Sequence, residues 1–100
     1  MDAMQIVSEP RRREILHLVW DRELSAGEIA RQFDVTFGAI SQHLGVLRDA
    51  GFVIARREGN RRLYRADKPR LGPLANALEA MWSDAIDRLA DAVESDVRRP

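Results

Sequence analysis

The chain has 100 residues, with 16 basic and 16 acidic side chains, and it contains no cysteine. This length allows one small domain, and the missing thiols exclude both a disulfide framework and a thiolate metal site. No segment combines a basic start with an apolar run or approaches the roughly 20 apolar residues of a membrane span, so the sequence predicts a cytoplasmic protein that does not interact with membranes.

The zero net charge conceals an uneven distribution. Between Arg48 and Arg70, eight basic side chains stand against three acidic ones, whereas the segments before and after are both acidic overall. Because a docking surface for DNA needs a local positive field rather than a high total charge, the middle of the chain is the candidate for such a surface.

The first predicted helix begins at Ser8-Glu9-Pro10, with Ser8 as its cap and Pro10 in its first turn. About three turns should follow. The buried stripe of this helix is expected to consist of Ile15, Leu16, Val19 and Trp20. A short helical lead-in is expected over Ala3, Ile6 and Val7.

The second helix begins with a capping box at Ser25 and Glu28, in which each side chain accepts a hydrogen bond from the backbone of the other. This helix should run from Ala26 to Phe33. Asp34-Val35 then forms a turn, because Asp tolerates a left-handed conformation, and Thr36 caps a third helix. The spacing is typical of a helix-turn-helix motif.

The third helix, up to Ala50, has the pattern of a helix that reads DNA. Helical spacing buries Ile40, Leu44 and Leu47 and leaves the opposite face exposed. That face carries Phe37, Gly38, Ser41, Gln42, Gly45 and Arg48. Gln42 can donate and accept at one base edge, and Ser41 can do either to a base or a phosphate.

Four positions of the third helix have two interpretations each. Phe37 either touches a thymine methyl or packs on the neighbouring helix. Gly38 and Gly45 either let the backbone approach DNA closely or are tolerated at exposed sites. His43 either contacts DNA or is a partly buried residue beside the apolar stripe.

A β-hairpin follows the third helix, which ends at Gly51. Its strands are predicted over Phe52–Glu58 and Arg61–Ala66, joined at Gly59-Asn60, where both residues accept positive φ. The tip carries Arg57, Glu58, Gly59, Asn60, Arg61 and Arg62. Alone it would be a solvated hairpin, but beside a helix-turn-helix it is the wing, whose arginines reach phosphates or the minor groove.

Lys68-Pro69-Arg70 interrupts the pattern, and a final helix is predicted from about Leu71 to Asp96. Its apolar stripe is too long for one small core, so its distal part should bury against a second copy of the chain. We therefore assign residues 1–70 to helices, recognition helix and wing, and 71–100 to a dimerisation helix, in one domain. The expected dimer contacts are Ile6, Leu74, Leu78, Met81, Trp82, Ala85, Leu89 and Val93.

Several motifs together resemble the ArsR family of bacterial winged-helix repressors over nearly the whole chain. They are Val7-Ser8-Glu9-Pro10-Arg11-Arg12 with Ile15-Leu16, then Ser41-Gln42-His43-Leu44, Val46 to Val53, and Arg57-Glu58-Gly59. The resemblance implies a mostly α winged helix-turn-helix with a small β-hairpin, dimerised through its N- and C-terminal helices. It also implies a homodimer that binds an imperfect inverted repeat in double-stranded promoter DNA and represses transcription until an effector, here an unknown small molecule, loosens it.

The metal sites of that family are not predicted in this chain. The segment that matches the family's Cys-X-Cys pair is Leu24-Ser25-Ala26-Gly27-Glu28, and the last helix carries Asp84, Asp87 and Asp91 but no histidine. Carboxylates alone suit zinc or nickel poorly. His17 with Glu14 and Asp21 is typical of a solvated helix surface. The chain is similar to the metal-independent branch, with a tryptophan at Trp82 and Asp87-Arg88-Leu89, and no cofactor is predicted.

The sequence thus predicts a sequence-specific repressor. The expected DNA contacts are Thr36, Phe37, Gly38, Ser41, Gln42, His43, Arg48, Arg57, Asn60, Arg61 and Arg62. Two alternatives remain, a winged helix that binds another protein and a metal or ligand sensor that uses an unrecognised site, which could include a pocket lined by Trp20 and Trp82. An enzyme is not indicated, because the sequence offers no nucleophile with a base and no phosphate-binding glycine loop.

Overall fold

The computed structural model describes the backbone of residues 1–97 and the side chains of residues 1–93. Six helices and three strands surround one core in the described residues. In chain order they are α1 (Ala3–Ser8), α2 (Pro10–Leu18), β1 (Leu24–Ser25), α3 (Ala26–Ala30), α4 (Phe37–Asp49), β2 (Val53–Glu58), β3 (Arg61–Ala66), α5 (Lys68–Leu71) and α6 (Pro73–Val97). Among the described residues, no helix is long and apolar enough to cross a membrane.

Two short helices open the chain, as the sequence predicted, but a different residue caps the second. The carboxylate of Glu9 accepts a hydrogen bond from Arg11 N at 3.0 Å at the start of α2. Ser8 is instead the last residue of α1, where its Oγ donates to Gln5 O at 2.8 Å. The prediction of Ser8 as the cap is therefore wrong, because the preceding helix uses that residue for its own last turn.

The helix-turn-helix consists of α3 and α4. The capping box is confirmed, since Glu28 N donates to Ser25 Oγ at 3.2 Å and Ser25 N donates to Glu28 Oε1 at 3.0 Å. Thr36 Oγ1 likewise caps α4 by accepting from Ala39 N at 3.1 Å. However, α3 ends at Ala30 rather than at Phe33, and the chain then turns. Within the described residues only glycines have positive φ, so the turn does not use a left-handed Asp34.

The hairpin belongs to a three-stranded antiparallel sheet in the order β1-β3-β2. The two-residue strand β1 pairs Leu24 with Tyr64 and Ser25 with Leu63, and the sequence did not predict it. Because β1 leads directly into α3, this pairing ties the wing to the helix-turn-helix. The two-residue connection has Gly59 at φ 61° and Asn60 in the ordinary negative region, the pattern of a type II′ turn.

The core combines the apolar stripes of α2, α3 and α4 with the inner face of the sheet. Its most buried side chains are Ile15, Leu16, Val19, Ile29, Ile40, Leu44 and Leu47. At the end of α4 the chain turns at Gly51 with φ 80°, where a Cβ would lie 2.9 Å from Arg70 Nε. This glycine confirms the predicted helix end, and its positive φ is a conformation that a residue without a side chain adopts at little cost.

The segment after the sheet contains two helices rather than one. Lys68-Pro69-Arg70, predicted as an interruption, begins the short helix α5, which Asp67 caps through Arg70 N at 3.3 Å. Gly72, with φ 59°, then breaks the chain direction before α6. The sequence missed this because proline fits the first turn of a helix as well as it ends a pattern.

The first half of α6 packs on the core, and the second half projects from it. Leu78 is 4% exposed and Trp82 is half-buried, whereas Leu89 is 66% and Val93 55% exposed. Ile6, also 4% exposed, lies with Leu78 in the core of a single chain. These two predicted dimer contacts therefore have almost no surface left for a second chain, because their helix faces are turned toward their own protomer.

Candidate nucleic-acid interface

The recognition helix α4 is fixed in the protein by one face and open to solvent on the other. Ile40, Leu44 and Leu47 are at most 1% exposed. On the opposite side Ser41 and Gln42 are exposed. A helix held by three buried apolar residues is a rigid support for the polar side chains that it presents.

Phe37, at the first position of α4, is 59% exposed. Of its two interpretations, packing on the neighbouring helix therefore accounts for less than half of its surface. It lines a cleft of about 350 Å³ between the recognition helix and the hairpin. An exposed aromatic ring at this place can make the apolar contact that a thymine methyl offers in the major groove.

The glycines of α4 are not required by the packing of one chain. A Cβ added at Gly38 would have Thr36 Oγ1 as its nearest neighbour, at 3.9 Å, and one added at Gly45 would meet nothing within 4 Å. Each glycine inside a helix costs about 1 kcal/mol relative to alanine. Because no contact within the described residues explains these glycines, close approach of the helix backbone to an external surface remains their functional interpretation.

Two arginines of the hairpin, Arg56 and Arg61, form its paired face. Arg56 donates to both carboxylate oxygens of Glu23, at 2.5 and 2.8 Å, and to Glu58 at 3.1 Å. Arg61 Nη2 donates to Glu28 Oε1 at 2.9 Å. The capping carboxylate of α3 therefore also anchors the wing.

The pKa values of these carboxyl groups reflect their contacts. The hydrogen bond from Arg56 lowers the pKa of Glu23 below its ordinary value, and Glu23 in turn raises the pKa of Arg56. The backbone and hydroxyl of Ser25 lower the pKa of Glu28, with a smaller contribution from the charge of Arg61. Both carboxylates are thus stabilised in the charged form that holds the paired face.

The other two arginines of the tip, Arg57 and Arg62, form the open face. They are direct partners across the two strands and share their side of the sheet with Ala55 and Tyr64. Both are exposed. Of the carboxylates in the described part of the chain, none lies within salt-bridge distance of either. Like charges directly opposite each other destabilise a strand pair, so this arrangement favours an external anion.

The cleft collects about half of the predicted DNA contacts. It is lined by Phe37 and Ser41 from the recognition helix and by Arg57, Asn60, Arg61 and Arg62 from the wing. Thr36, Gly38 and Gln42 are exposed on the recognition helix outside this lining. Arg48 lies in the last turn of that helix, 3.6 Å from its neighbour Asp49. The charge of Arg48 is therefore partly balanced.

His43 is half-buried on the flank of the recognition helix that faces α2. Its Nδ1 accepts a hydrogen bond from Arg12 Nε at 3.3 Å. Arg12 was not among the predicted site residues. The two residues are 31 positions apart, and the only signal in the sequence was the run of arginines at the start of α2.

A second cleft, of about 540 Å³, lies between the end of α2 and the middle of α6. His17 stacks on Trp82 with ring centroids 4.4 Å apart, and Trp20 meets Trp82 edge-on at 4.9 Å. Trp20 Nε1 donates to Glu79 at 2.9 Å. The imidazole of His17 thus packs against an indole, and in the described residues no three His, Asp or Glu side chains gather as a metal site would require.

Known proteins resemble this chain in both sequence and structure. Residues 9–55 match the family described as bacterial regulatory protein, arsR family. The HTH-type transcriptional regulator Rv2034 of Mycobacterium tuberculosis is 35% identical over 94 residues, which are 94% of this chain and 88% of that protein. The biofilm growth-associated repressor of Agrobacterium fabrum is 33% identical over 79 residues, 79% of this chain and 68% of that protein.

A solved structure shows the same architecture. The homodimeric winged helix-turn-helix DNA-binding domain of Mb0332 from Mycobacterium bovis, described as a possible ArsR-family regulator, superimposes with a TM-score of 0.69 at 28% identity, covering 80% of this chain and 74% of that one. The helix-turn-helix and wing described above, together with a sequence match over nearly the whole chain, show that this protein belongs to the arsR family of bacterial regulatory proteins.

Proposed function

We propose that this protein is a sequence-specific DNA-binding transcriptional repressor that acts as a homodimer on a pseudo-palindromic promoter site. One observation carries the proposal: Phe37 and Ser41 on the exposed face of α4 line the same cleft as Arg57 and Arg62, the open face of the wing. A helix that reads base edges beside unpaired cations that bind phosphates is the combination that a DNA-reading surface needs.

The residues of the interface divide by chemistry. Gln42 and Ser41 are assigned to base edges, because amide and hydroxyl groups discriminate donors from acceptors in the major groove. Arg57 and Arg62 are assigned to phosphates, where they supply affinity without sequence information. We assign the remaining predicted contacts, Thr36, Phe37, Gly38, His43, Arg48, Asn60 and Arg61, to the same surface.

We assign dimerisation to α6 from Met81 onward, within residues 71–100. Met81, Ile86, Leu89 and Val93 are between 42% and 66% exposed, and a row of exposed apolar side chains on one helix favours burial against a partner. The matched Mb0332 domain is homodimeric. In a symmetric dimer the two recognition helices would enter the major groove about 34–36 Å apart, so the operator should be a pseudo-palindrome.

Repression would follow from the position that the dimer occupies on promoter DNA. A dimer that occupies promoter DNA excludes competing proteins from the same site, and the relative from Agrobacterium fabrum is named a repressor. The protein would act in the cytoplasm, where bacterial promoter DNA lies. An unknown small molecule that loosens the complex would be the inducing signal.

Selection of bound fragments from the native genome, followed by fluorescence anisotropy, tests the proposal. The selected fragment should bind more tightly than a scrambled duplex of equal length, and the protein should have twice the 11.4 kDa mass of one chain in solution. Reporter transcription from that fragment should fall when the protein is present. A protein that binds both duplexes weakly and alike would instead be a protein-interaction module, and increased transcription would contradict repression.

Gln42→Ala tests the assignment of sequence discrimination. The variant should lose about fivefold or more of the preference for the selected fragment, since one good bidentate base contact discriminates by at least that much. Its affinity for the scrambled duplex should stay close to that of the parent protein. Equal losses on both duplexes would remove Gln42 from the base-reading residues.

A further inference from the structure

One hydrogen bond between side chains joins α2 to the recognition helix. Arg12 Nε donates to His43 Nδ1 at 3.3 Å. The same guanidinium makes two further contacts, since its Nη1 donates to Ile6 O and to Met1 Sδ, each at 3.4 Å. Both Arg12 and His43 are half-buried. The imidazole therefore has one edge fixed inside the protein and one edge left for solvent or a ligand.

The identity of the donor determines where the histidine carries its proton. An arginine side chain has only donors and does not lose its proton in proteins, so His43 Nδ1 must accept with its lone pair. A neutral imidazole with a lone pair on Nδ1 carries its hydrogen on Nε2. We propose that Arg12 is a positioning residue, which holds His43 as an Nε2–H donor directed at the DNA backbone.

The position of His43 favours a phosphate oxygen as the acceptor. His43 is about 100° around the helix from Gln42, so it lies on the side of α4 next to α2 and not on the exposed face. We place this side against the DNA backbone, because the face of α4 that carries Gln42 is the one assigned to base edges. A neutral N–H group on a phosphate adds affinity without sequence preference and releases no counterion. This inference rests on the proposed function.

The first test needs neither a variant nor DNA. The chain has two histidines, and His17, exposed and stacked on Trp82, is an internal reference for a ring without this hydrogen bond. Nitrogen NMR shifts are measured at a pH where both imidazole rings are uncharged. They should show His43 in the Nε2–H form alone and His17 as a mixture of the Nδ1–H and Nε2–H forms. A proton on Nδ1 of His43, or the same mixture at both residues, would overturn the proposal.

The second test measures DNA affinity in Arg12→Met. We expect a loss of about threefold to tenfold, the range for one hydrogen bond, equal on the selected and scrambled duplexes and with an unchanged salt slope. In a His43→Ala background the same substitution should cost nothing further. A loss that persists in that background, with a slope reduced by about one, would show that Arg12 itself contacts a phosphate.

Arg11→Met is the matched control. Arg11 lies on the same helix, pairs with Glu14 at 3.0 Å and covers the ring of Phe33. Its loss removes the same charge without touching His43, so affinity should stay near that of the parent protein. If Arg12→Met is too unstable to measure, the NMR spectrum of the parent protein still decides whether His43 is the Nε2–H donor that the contact with Arg12 requires. A parent protein that binds no DNA would refute the proposed function and the phosphate contact, while the tautomer result would stand by itself.

Discussion

The four arginines at the end of the hairpin divide between two faces that differ in whether carboxylates lie beside them. On the paired face Arg56 and Arg61 find Glu23 and Glu28. On the open face Arg57 and Arg62 face each other across the strands. The local sequence does not distinguish the two faces, because each strand carries two consecutive arginines that point to opposite sides of the sheet. The difference lies in the carboxylates of Glu23, just before β1, and Glu28, in α3, which lie on one side of the sheet. The arginines on that side hold the wing in place, whereas those on the other side are available to bind a ligand.

The largest effect is expected from removing the open face. Arg57→Ala with Arg62→Ala should weaken binding to every duplex by about tenfold or more, because hydrogen bonds to charged groups are the strong ones. The slope of log affinity against log salt should fall by about two, one for each lost phosphate contact. Anisotropy titrations at several salt concentrations measure both quantities.

The matched control removes two arginines from the other side of the sheet. Arg56→Ala with Arg65→Ala gives the same change in net charge, and Arg65 is also exposed. If the open face binds phosphates, this control should lose much less affinity and keep most of its salt slope. If the two double variants lose similar amounts of DNA affinity and salt slope, the two faces do not differ in DNA binding, and the arginines act only through their general positive charge.

A smaller effect is expected at Arg61, which belongs to the paired face but also lines the cleft. Its charge is partly balanced by Glu28 at 2.9 Å, so Arg61→Ala should weaken DNA binding by only about threefold. Glu28→Gln should have the opposite sign, since glutamine can maintain the capping box while releasing Arg61. Reduced affinity in Glu28→Gln would mean that the ion pair positions the wing and that Arg61 does not reach DNA.

Local signals in the sequence were sufficient for the helix caps and the buried stripe of the helix-turn-helix, but not for the end of α3 at Ala30 or for its turn. The caps at Ser25 and Thr36 and the stripe of Ile40, Leu44 and Leu47 depend on neighbours three or four positions away, and such patterns can be read from a sequence. The bounds of the hairpin strands were also predicted to within one residue. These elements form where local preference and burial agree.

The strand β1 and the contacts of three arginines, which the sequence did not show, depend on distant parts of the chain. The two residues of β1 are too few for any periodicity, and they form a strand only because β3 lies beside them. The contacts of Arg56 and Arg61 span 33 positions each, and that of Arg12 spans 31. An arginine has the same local preferences with or without a distant partner, so only the fold distinguishes anchoring residues from DNA contacts.

The smallest effect concerns acid stability, and it distinguishes the faces without DNA. Contacts in the folded protein lower the pKa of Glu23 and Glu28 below the ordinary value of 4.5. Between the lowered pKa of the folded protein and the ordinary pKa, the unfolded chain therefore binds more protons than the folded one. The paired face contributes its full stability at a pH above the ordinary pKa and loses it as the pH falls through the folded pKa.

Thermal unfolding from about pH 6 to about pH 3 measures this contribution. Glu23→Gln with Glu28→Gln should flatten the acid side of the curve slightly, since exposed ion pairs contribute little. Arg57→Ala with Arg62→Ala should leave the shape of the curve unchanged, because the open face has no carboxylate partner in the described residues whose proton uptake would matter. If the dependence of thermal stability on pH also changes in that second variant, a carboxylate of the protein pairs with Arg57 or Arg62. The open face would then stabilise the wing and would not be a site for phosphate.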